Sequence, residues 1–433
     1  MKTRLFSLWR ALTWSWTPAS EREAGEAVVR NFWIHWFPTK MADESFSWSY
    51  SFWLGTVSLA LFFILTVTGF LLMFFYVPSV ERAYWSIKDL DFSVSFGWLL
   101  RNQHRWAAHL MVATVFLHMA RVFFSCAYRG RRSLNWLVGI TLLLSTLLLS
   151  FTGYLLPWDQ LALWAITVGT NIAKEAPIVG NWIYFLLLGG NMIGQETLIR
   201  FYVLHVFIIP VFVLIAVAYH MWRIRKDGGL AAMERLGDSL EIKEKAPSSA
   251  KTYSFFGLAK GTSVQVKGIN GIGEENSLFA TPHLLRRMML VFLVTFTATL
   301  LLAIFFNAPL EEAANPSVTP NPAKAPWYFL WLQELVADTT LHLGKFTISG
   351  GLIGGTLLPG VLLLVAALWP FLDRSSSQSI GVWFSPERRT QNWVFVAIII
   401  AIILLMYLGV AMRGPNWKIY WPWQNWPNLP TLL

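Results

Sequence analysis

Four histidines lie at matched intervals in two strongly apolar stretches of the sequence. His104 and His118 are 14 residues apart in one stretch, and His205 and His220 are 15 residues apart in another. At about 100° and 1.5 Å per helical residue, each pair returns to nearly the same helix face about 21 Å further along. If the two helices lie side by side, the histidines form two facing pairs at two depths.

Neutral imidazoles need partners in an apolar environment, and no acidic residue or cysteine accompanies these four at matching depths. A b-type haem in each facing pair is the most economical occupant. A zinc ion would want a tetrahedral, mixed set of ligands. Hydrogen bonds to nearby backbone carbonyls are the alternative, but they leave the paired depths unexplained. The four histidines are therefore predicted to ligate the iron of two haems.

Glycines repeat at a similar interval in two other apolar stretches. Gly55 and Gly69 are 14 residues apart, as are Gly139 and Gly153. Because glycine permits close approach, a planar macrocycle could press against these helices at both depths. Ordinary small-residue packing between membrane helices is the competing explanation, and it gives no reason for the matched interval.

Two arginines flank the histidines of the first stretch. Arg101 precedes His104 by three residues, and Arg121 follows His118 by three. A guanidinium at either position is well placed to bind a haem propionate, and snorkelling to the membrane interface is compatible with that role. His109 is turned about 140° away from His104 on a helix, so we expect it to be structural.

The composition indicates a membrane protein. Hydrophobic residues make up 55% of the chain and charged residues only 13%, against about 25% charged residues in ordinary soluble domains. Seven apolar stretches are each close to the ~20 residues that cross a bilayer; they lie near 52–76, 106–126, 134–156, 199–222, 288–307, 349–371 and 392–412. The predicted fold is an all-α integral membrane protein with seven transmembrane helices.

The charge pattern gives an orientation. The net charge is +10, but the basic residues follow the second, fourth and sixth spans, which favours membrane topology over nucleic-acid binding. The positive-inside rule predicts a cytoplasmic N-terminus and, after seven spans, a C-terminus on the outer side. Cys126 is the single cysteine, so this sequence holds neither a CxxCH haem site nor a Cys-ligated iron–sulfur cluster.

A polar stretch at 224–281 divides the chain. We expect residues 1–50 to form a cytoplasmic interfacial segment and 51–223 an N-terminal four-helix haem-binding bundle. Residues 224–281 are predicted to be a cytoplasmic linker, and 282–433 a C-terminal three-helix unit.

Five motifs resemble the cytochrome b/b6 family, the quinol-oxidising core of cytochrome bc complexes: RNQHRW, LHMARV, TGYLLPWDQ, IGQETLIRFYVLH and HMWRIRK. The resemblance covers nearly the whole chain, with 282–433 similar to subunit IV and fused to a cytochrome b6-like part. It implies that 282–433 carries a quinol-site loop. It implies that His104 and His205 bind the haem near the outer face. It assigns His118 and His220 to the haem near the cytoplasm.

The resemblance also implies an activity. A quinol would be oxidised near the outer face, and one electron would cross the membrane through the two haems to an inner quinone site, coupled to proton translocation. It implies a Rieske iron–sulfur protein and a c-type cytochrome as partners, in a dimeric complex. The expected location is a bacterial cytoplasmic membrane, and the loop variant resembles members that use menaquinol.

The sequence departs from the family pattern at two places. The usual PEWY loop has Ala325 in place of its glutamate; we expect Glu334 to accept the quinol proton instead, with a helix-surface charge as the alternative. Tyr328 and the PWDQ segment are expected to line the outer pocket. The b6 branch tethers a third haem to a cysteine where this chain has Trp53, so we expect no covalent haem there.

Fewer residues of the sequence indicate the inner quinone site. Arg225, at the end of the fourth span, is expected to lie near it, although a positive-inside anchor explains this arginine equally well. Two other classes of protein stay open at this point. One is a di-haem anchor that links a dehydrogenase to the quinone pool, and the other is a haem-free transporter with buried histidines as proton relays.

Overall fold

Seven long apolar helices dominate the computed structural model, which describes residues 18–30, 37, 39–227, 230, 277–343, 346–375 and 379–425. Those able to cross a membrane are Leu54–Met73, Gly97–Phe124, Gly130–Tyr154, Gln195–Lys226, Ala280–Phe305, Gly351–Leu372 and Pro386–Met412. The predicted all-α membrane fold with seven spans is confirmed.

The first four spans contain most of the N-terminal elements. In chain order these are α1 (Glu21–Arg30), β1 (Lys40–Ala42), a 3₁₀ turn (Asp43–Phe46), α2 (Trp48–Ser51), α3 (Leu54–Met73), α4 (Ala83–Phe92), α5 (Gly97–Phe124), a 3₁₀ turn (Gly130–Arg132) and α6 (Ser133–Tyr154). They continue with α7 (Gln160–Lys174), α8 (Gly180–Leu188), α9 (Gln195–Val203), a π-helical segment (Leu204–Ile208) and α10 (Ile209–Lys226). The connection between the third and fourth spans therefore folds into α7 and α8, in keeping with its length.

The remaining elements build the last three spans. They are β2 (Ser277–Phe279), α11 (Ala280–Phe305), α12 (Trp327–Asp338), β3 (Leu341–Leu343), β4 (Phe346–Ile348), a π segment (Gly351–Leu357), α13 (Leu358–Leu372), a 3₁₀ turn (Pro386–Arg388), α14 (Arg389–Tyr407), a π segment (Leu408–Met412) and a 3₁₀ turn (Pro415–Trp417). Strands β3 and β4 form a short antiparallel hairpin.

The last three spans pack around the first four. Helix α11 lies against α3 and α5, α10 and α13 both lie against α6, and α12 lies against α14. An antiparallel ribbon of β1 and β2 pairs Lys40 with Phe279, which joins the segment before the first span to the start of α11. Large apolar side chains on the outer faces of these helices stay exposed, as expected for surfaces that face lipid.

The second span begins earlier than hydropathy predicts. Helix α5 starts at Gly97 rather than near residue 106, because its first turns carry polar side chains that are nevertheless buried. Arg101 Nη1 donates to Asp91 Oδ2 at 2.7 Å and Arg101 Nη2 to the Pro309 carbonyl at 2.7 Å. Asn102 Nδ2 donates to the Ala303 carbonyl at 3.0 Å. Asp91 is only ten residues away, on α4, whereas the two carbonyl partners lie around the end of α11, some two hundred residues away in sequence.

A fully buried arginine holds α14 against the end of α5. Arg388 Nη1 donates to the Phe123 carbonyl at 2.8 Å, and its Nη2 donates to the Tyr128 hydroxyl at 2.6 Å. That hydroxyl donates in turn to Asp373, whose Oδ2 lies 3.5 Å from Arg388 Nε. Burial opposes ionisation of Asp373, but hydrogen bonds from Ser375 and Tyr128 outweigh it and hold the pKa of this carboxyl below its ordinary value.

Removal of Arg388 should destabilise the protein strongly. In Arg388→Met the buried Asp373 loses its cation, and breaking a buried pair on one side typically costs about 3–5 kcal/mol. The matched control is Arg389→Met, because Arg389 is exposed and exposed substitutions usually change stability by about 0.5 kcal/mol or less. Thermal and denaturant unfolding in detergent would measure the difference, and equal losses in the two variants would contradict this account of the cluster.

Candidate haem and quinone sites

The structure brings the four histidines together as two facing pairs. The ring centres of His104 and His205 are 6.2 Å apart with an interplanar angle of 77°. Those of His118 and His220 are 6.4 Å apart at 78°. Each pair joins α5 to the fourth span, and the two pairs lie at different depths along these helices.

The separation of each pair fits one metal ion shared between two imidazoles. A metal–imidazole bond is about 2.0 Å, and the centre of a five-membered ring lies about 1.1 Å from its nitrogen, given bonds near 1.33 Å. Two metal–nitrogen bonds and two nitrogen-to-centre distances in a line place the ring centres about 6.2 Å apart. Within the described residues, no group of three or more His, Cys, Asp or Glu side chains could hold a metal ion. Each pair therefore supplies two ligands, the number that haem iron accepts on its axial positions.

Each of the four glycines faces one of these histidine rings. A Cβ atom added at Gly69 would lie 3.1 Å from His104 Cε1, and one at Gly55 would lie 3.2 Å from His118 Cε1. Gly153 is still closer to the ring of His205, so a methyl group there would collide with it. Gly139 has more space, with 3.9 Å between such a Cβ and His220 Cε1. The glycine interval thus follows the histidine interval.

A π-helical segment explains how a 15-residue interval can face a 14-residue one. Leu204–Ile208 is π-helical and contains His205. A π turn accommodates one residue more than an α turn, and Pro210, which follows it, lacks the N–H that a regular helix would bond to an earlier carbonyl. The extra residue in the fourth span is absorbed there, so both histidine pairs keep nearly equal separations.

Threonines orient two of the rings. The hydroxyl of Thr68 lies 2.9 Å from His104 Nδ1, and that of Thr152 lies 3.2 Å from His205 Nδ1. The same Nδ1 of His205 is 3.1 Å from the Leu149 carbonyl. Such hydrogen bonds fix the ring and leave Nε2 for a metal. Sequence reasoning missed both threonines, although each directly precedes a glycine of the repeat and the Thr-Gly pair recurs in the first and third spans.

The two flanking arginines differ in how many of their hydrogen-bond donors are already used within the protein. Arg101 already binds Asp91 and two carbonyls. Arg121 stacks over the Tyr50 ring at 4.7 Å, and its Nη2 is buried with no hydrogen-bond partner among the described residues. A buried guanidinium nitrogen without a partner suits a carboxylate ligand. The geometry at Arg121 fits a haem propionate better than that at Arg101.

A large apolar cavity of about 1140 Å³ lies between the first four spans and the last three. Its walls come from α5, α6, α7, α12, α13 and α14, and they include Tyr328 and Trp327. Tyr328 is 7% exposed, and burial raises the pKa of its phenol to about 12, against the opposing effects of Arg105 and Ser150. It is therefore a neutral phenol that can donate a hydrogen bond to a ligand.

Glu334 is buried but does not belong to the cavity wall, as far as the described residues define it. Its Oε1 accepts from Arg413 Nε at 2.7 Å, and its Oε2 accepts from Trp417 Nε1 at 3.2 Å. Arg413 also donates to Asp338 at 2.6 Å. The carboxylate that the sequence suggested as a proton acceptor thus ties α12 to the segment after α14.

The PWDQ segment positions the connection after α11. Asp159 accepts from the backbone of Ala162 at 2.8 Å and of Glu311 at 3.2 Å, and burial raises the pKa of its carboxyl in spite of these bonds. Gln160 Oε1 accepts from the Asn315 N–H at 2.7 Å. The residues of α7 that follow, such as Trp164, contribute to the cavity wall.

Trp53 and Arg225, two other positions singled out from the sequence, also lie within the described residues. Trp53 is buried at the start of α3 with a positive φ of 53° and packs against Trp48. Arg225 is half-buried at the end of α10. Its neighbour Arg223, which is buried, donates to the Arg131 carbonyl at 3.0 Å and pairs with Asp227 at 2.8 Å.

Comparisons with known proteins identify the family. Residues 40–228 match the model described as cytochrome b/b6/petB, and residues 313–422 match that described as cytochrome b(C-terminal)/b6/petD. A cytochrome bc complex cytochrome b subunit from Chlorobaculum thiosulfatiphilum is 34% identical over 363 residues, which cover 82% of this chain and 72% of that protein. The chain belongs to the cytochrome b/b6 family.

Other relatives of this cytochrome b match it over different lengths. Cytochrome b6 from Synechococcus sp. (strain WH7803) is 41% identical over 175 residues, 40% of this chain and 80% of that protein. A solved chain of a hyperthermophilic respiratory Complex III superimposes with a TM-score of 0.67 at 25% identity, covering 87% of each chain. Membership of the family implies b-type haem, which the two histidine pairs fit.

The glycines should differ in their tolerance of a side chain. Gly153→Ala should displace the His205 ring, cost about 1–3 kcal/mol as an overpacked site and reduce the haem content measured as pyridine haemochrome. Gly139→Ala is the matched control on the same helix, because its added methyl would make only an ordinary contact with His220. Equal haem loss in both variants would show that the clearance at Gly153 is not what matters.

Proposed function

We propose that this chain is the di-haem cytochrome b subunit of a quinol-oxidising cytochrome bc complex. The observation that carries the proposal is the presence of two histidine pairs, each separated by the distance that one shared metal ion requires. His104 and His205 hold the outer haem, and His118 and His220 hold the inner one. Bound haems supply one-electron transfer at two depths of the membrane.

The protein's own groups fix these ligands. Thr68 and Thr152 orient the rings of the outer pair, the four glycines leave room beside the rings, and Arg121 binds a propionate at the inner end. Arg101 has a smaller share in propionate binding, because most of its donors are used within the protein. Together these contacts hold the two sites at fixed heights in one helical bundle.

The quinol is oxidised at the Tyr328 end of the apolar cavity, which we place near the outer face. A long, largely apolar wall suits an isoprenoid quinol, and Tyr328 offers its head group a neutral hydrogen-bond donor. We propose menaquinol as the substrate on the strength of the loop variant, and an inner quinone site near Arg225. Haems held by the two histidine pairs would supply the one-electron transfer across the membrane, and proton release outside would couple quinol oxidation to proton translocation.

The second electron leaves through other subunits. A Rieske iron–sulfur protein and a c-type cytochrome are proposed as partners in a dimeric complex, supported by the relatives named as a bc complex subunit and as Complex III. The proposed location is the bacterial cytoplasmic membrane, with the N-terminus in the cytoplasm and the C-terminus outside. The family matches at 40–228 and 313–422 support a division into a haem-binding part, 51–223, and a three-helix part, 282–433, joined by 224–281.

Glu334 has a positioning role in this scheme. Because Arg413 and Trp417 occupy its oxygens, we propose that it braces α12, the helix that presents Tyr328 to the cavity. The match of residues 313–422 to the family also favours a subunit of a quinol-oxidising bc complex over a di-haem anchor, since an anchor has no need of the second three-helix part.

Haem counting tests the proposal directly. The reduced-minus-oxidised spectrum and pyridine haemochrome of the purified wild type should give about two b haems per chain, and His118→Ala should give about one. His283→Ala is the control, because His283 packs against Phe46 outside both pairs and should leave the content unchanged. A wild type without haem would refute the cytochrome and favour a haem-free transporter.

Quinol kinetics should separate Tyr328 from Glu334. Tyr328→Phe removes a hydrogen bond to the substrate, so quinol-driven haem reduction should slow by about 3- to 10-fold. Glu334→Gln should instead lower the free energy of unfolding by about 1.5–3 kcal/mol, the value of a hydrogen bond to a charged group, with a smaller effect on the rate at a temperature where it is folded. Stopped-flow spectroscopy and thermal unfolding measure the two effects; a rate loss in Glu334→Gln that exceeds that of Tyr328→Phe would restore Glu334 as the proton acceptor.

A further inference from the structure

The cavity wall lacks the acidic group that a proton-releasing reaction would be expected to use. No Asp or Glu is among the described residues that line it. Ala325 stands at the loop position of interest, and its N–H donates to Gln333 Oε1 at 2.8 Å, which folds the loop back onto α12. Lys324, also in the wall, donates from Nζ to the Val410 carbonyl at 2.8 Å.

A histidine outside the haem pairs contacts this loop. His109 lies on α5, five residues after His104, on the side that faces the start of α12. Trp327 Nε1 donates to His109 Nδ1 at 3.0 Å. The ring of Tyr328 meets the same imidazole edge to face, with centres 5.8 Å apart. The one histidine that we expected to be structural therefore touches both aromatic residues of the PWY sequence.

The hydrogen bond defines the charge state of His109. An indole N–H can only donate, so Nδ1 must carry a lone pair and the imidazole is neutral. A protonated ring would present N–H at both nitrogens and could no longer accept from Trp327. Arg105 lies four residues before His109 on the same helix, so a protonated His109 would place two cations one turn apart. The groups that face the ring from α12 are the neutral Trp327 and Tyr328.

Trp327 lies where the cavity meets the outside of the protein. Its side chain lines the cavity and is also 40% exposed, so the indole lies at one edge of the cavity. It is the first residue of α12, directly after Pro326, and its orientation is fixed by the bond to His109 rather than by complete burial. A rotation of this indole would change the opening of the cavity.

We propose that His109 is a positioning residue for quinol binding, which holds Trp327 at the edge of the cavity through an interaction that requires a neutral imidazole. The inference rests on the proposed quinol oxidation. His109 is not among the residues that line the cavity, so it acts through Trp327 and does not contact the substrate. Protonation of His109 releases the indole and weakens quinol binding.

The test compares variants of the purified complex with a short-chain menaquinol analogue as substrate and cytochrome c reduction as the readout. His109→Phe should raise KM by about 3- to 10-fold, the equivalent of one neutral hydrogen bond, with a much smaller change in kcat. His109→Asn offers Trp327 an amide oxygen on Cγ in place of Nδ1 and should restore KM to within about twofold. Trp327→Phe should match His109→Phe, and the double variant should be no worse than either.

The pH dependence provides a readout that a purely structural contact would not move. The wild-type KM should rise as the pH is lowered, whereas His109→Asn should lack this rise. The dithionite-reduced haem spectrum should be unchanged in every variant, because His109 is not a ligand, and His283→Phe serves as the control for histidine replacement. Equal losses in His109→Phe and His109→Asn, or additive losses in the double variant, would overturn the inference. A wild-type complex with normal haems that oxidises no quinol would refute the proposed function and, with it, this role of His109.

Discussion

The need to satisfy four imidazoles inside an apolar bundle constrains most of the structure. Each ring faces a second ring across 6.2 or 6.4 Å, a separation that one metal ion can bridge and that a direct contact does not require. The glycines of α3 and α6, the Thr-Gly pairs and the π segment around His205 all follow from this demand. They leave space beside the rings, orient them, or compensate for the one extra residue in the fourth span. The helices of the bundle are therefore positioned by the histidine pairs as much as by apolar packing.

A second constraint is the attachment of the last three spans to the bundle. In lipid there is little hydrophobic drive between helices, and two buried arginines supply specific links instead. Arg101 reaches the chain after α11, and Arg388 reaches the end of α5. A third buried arginine, Arg413, links α12 to the segment after α14 within the last three spans. Each pairs with a carboxylate from another element. Buried ion pairs add little net stability, but a wrong arrangement would leave charges unpaired, so these contacts favour one geometry.

The parts of the structure that could be predicted are those determined by the length of apolar stretches and by the spacing of residues along a helix. Apolar stretches of about 20 residues fixed the number of spans, and the matched intervals predicted that the four histidines form two facing pairs. The start of α5, the burial of Arg388 and the pairing of Glu334 were not predictable in this way. Hydropathy treats Arg101 and Asn102 as the end of a span, because their partners lie about two hundred residues away. Glu334 looked like a free carboxylate for the same reason, since Arg413 is 79 residues further along the chain.

Helix α5 links the haem sites to the cavity through its rigid geometry. His104 and His109 lie about 7.5 Å apart along its axis and point about 140° apart, so one face of the helix meets the fourth span while another meets the start of α12. His104 and the edge of the cavity at Trp327 are thereby held by a single helix, whose backbone hydrogen bonds do not depend on any loop. Trp327 is attached to this helix by its bond to His109, and Tyr328 packs against the same imidazole. These contacts give the loop a defined place beside the bundle although Ala325 carries no carboxylate.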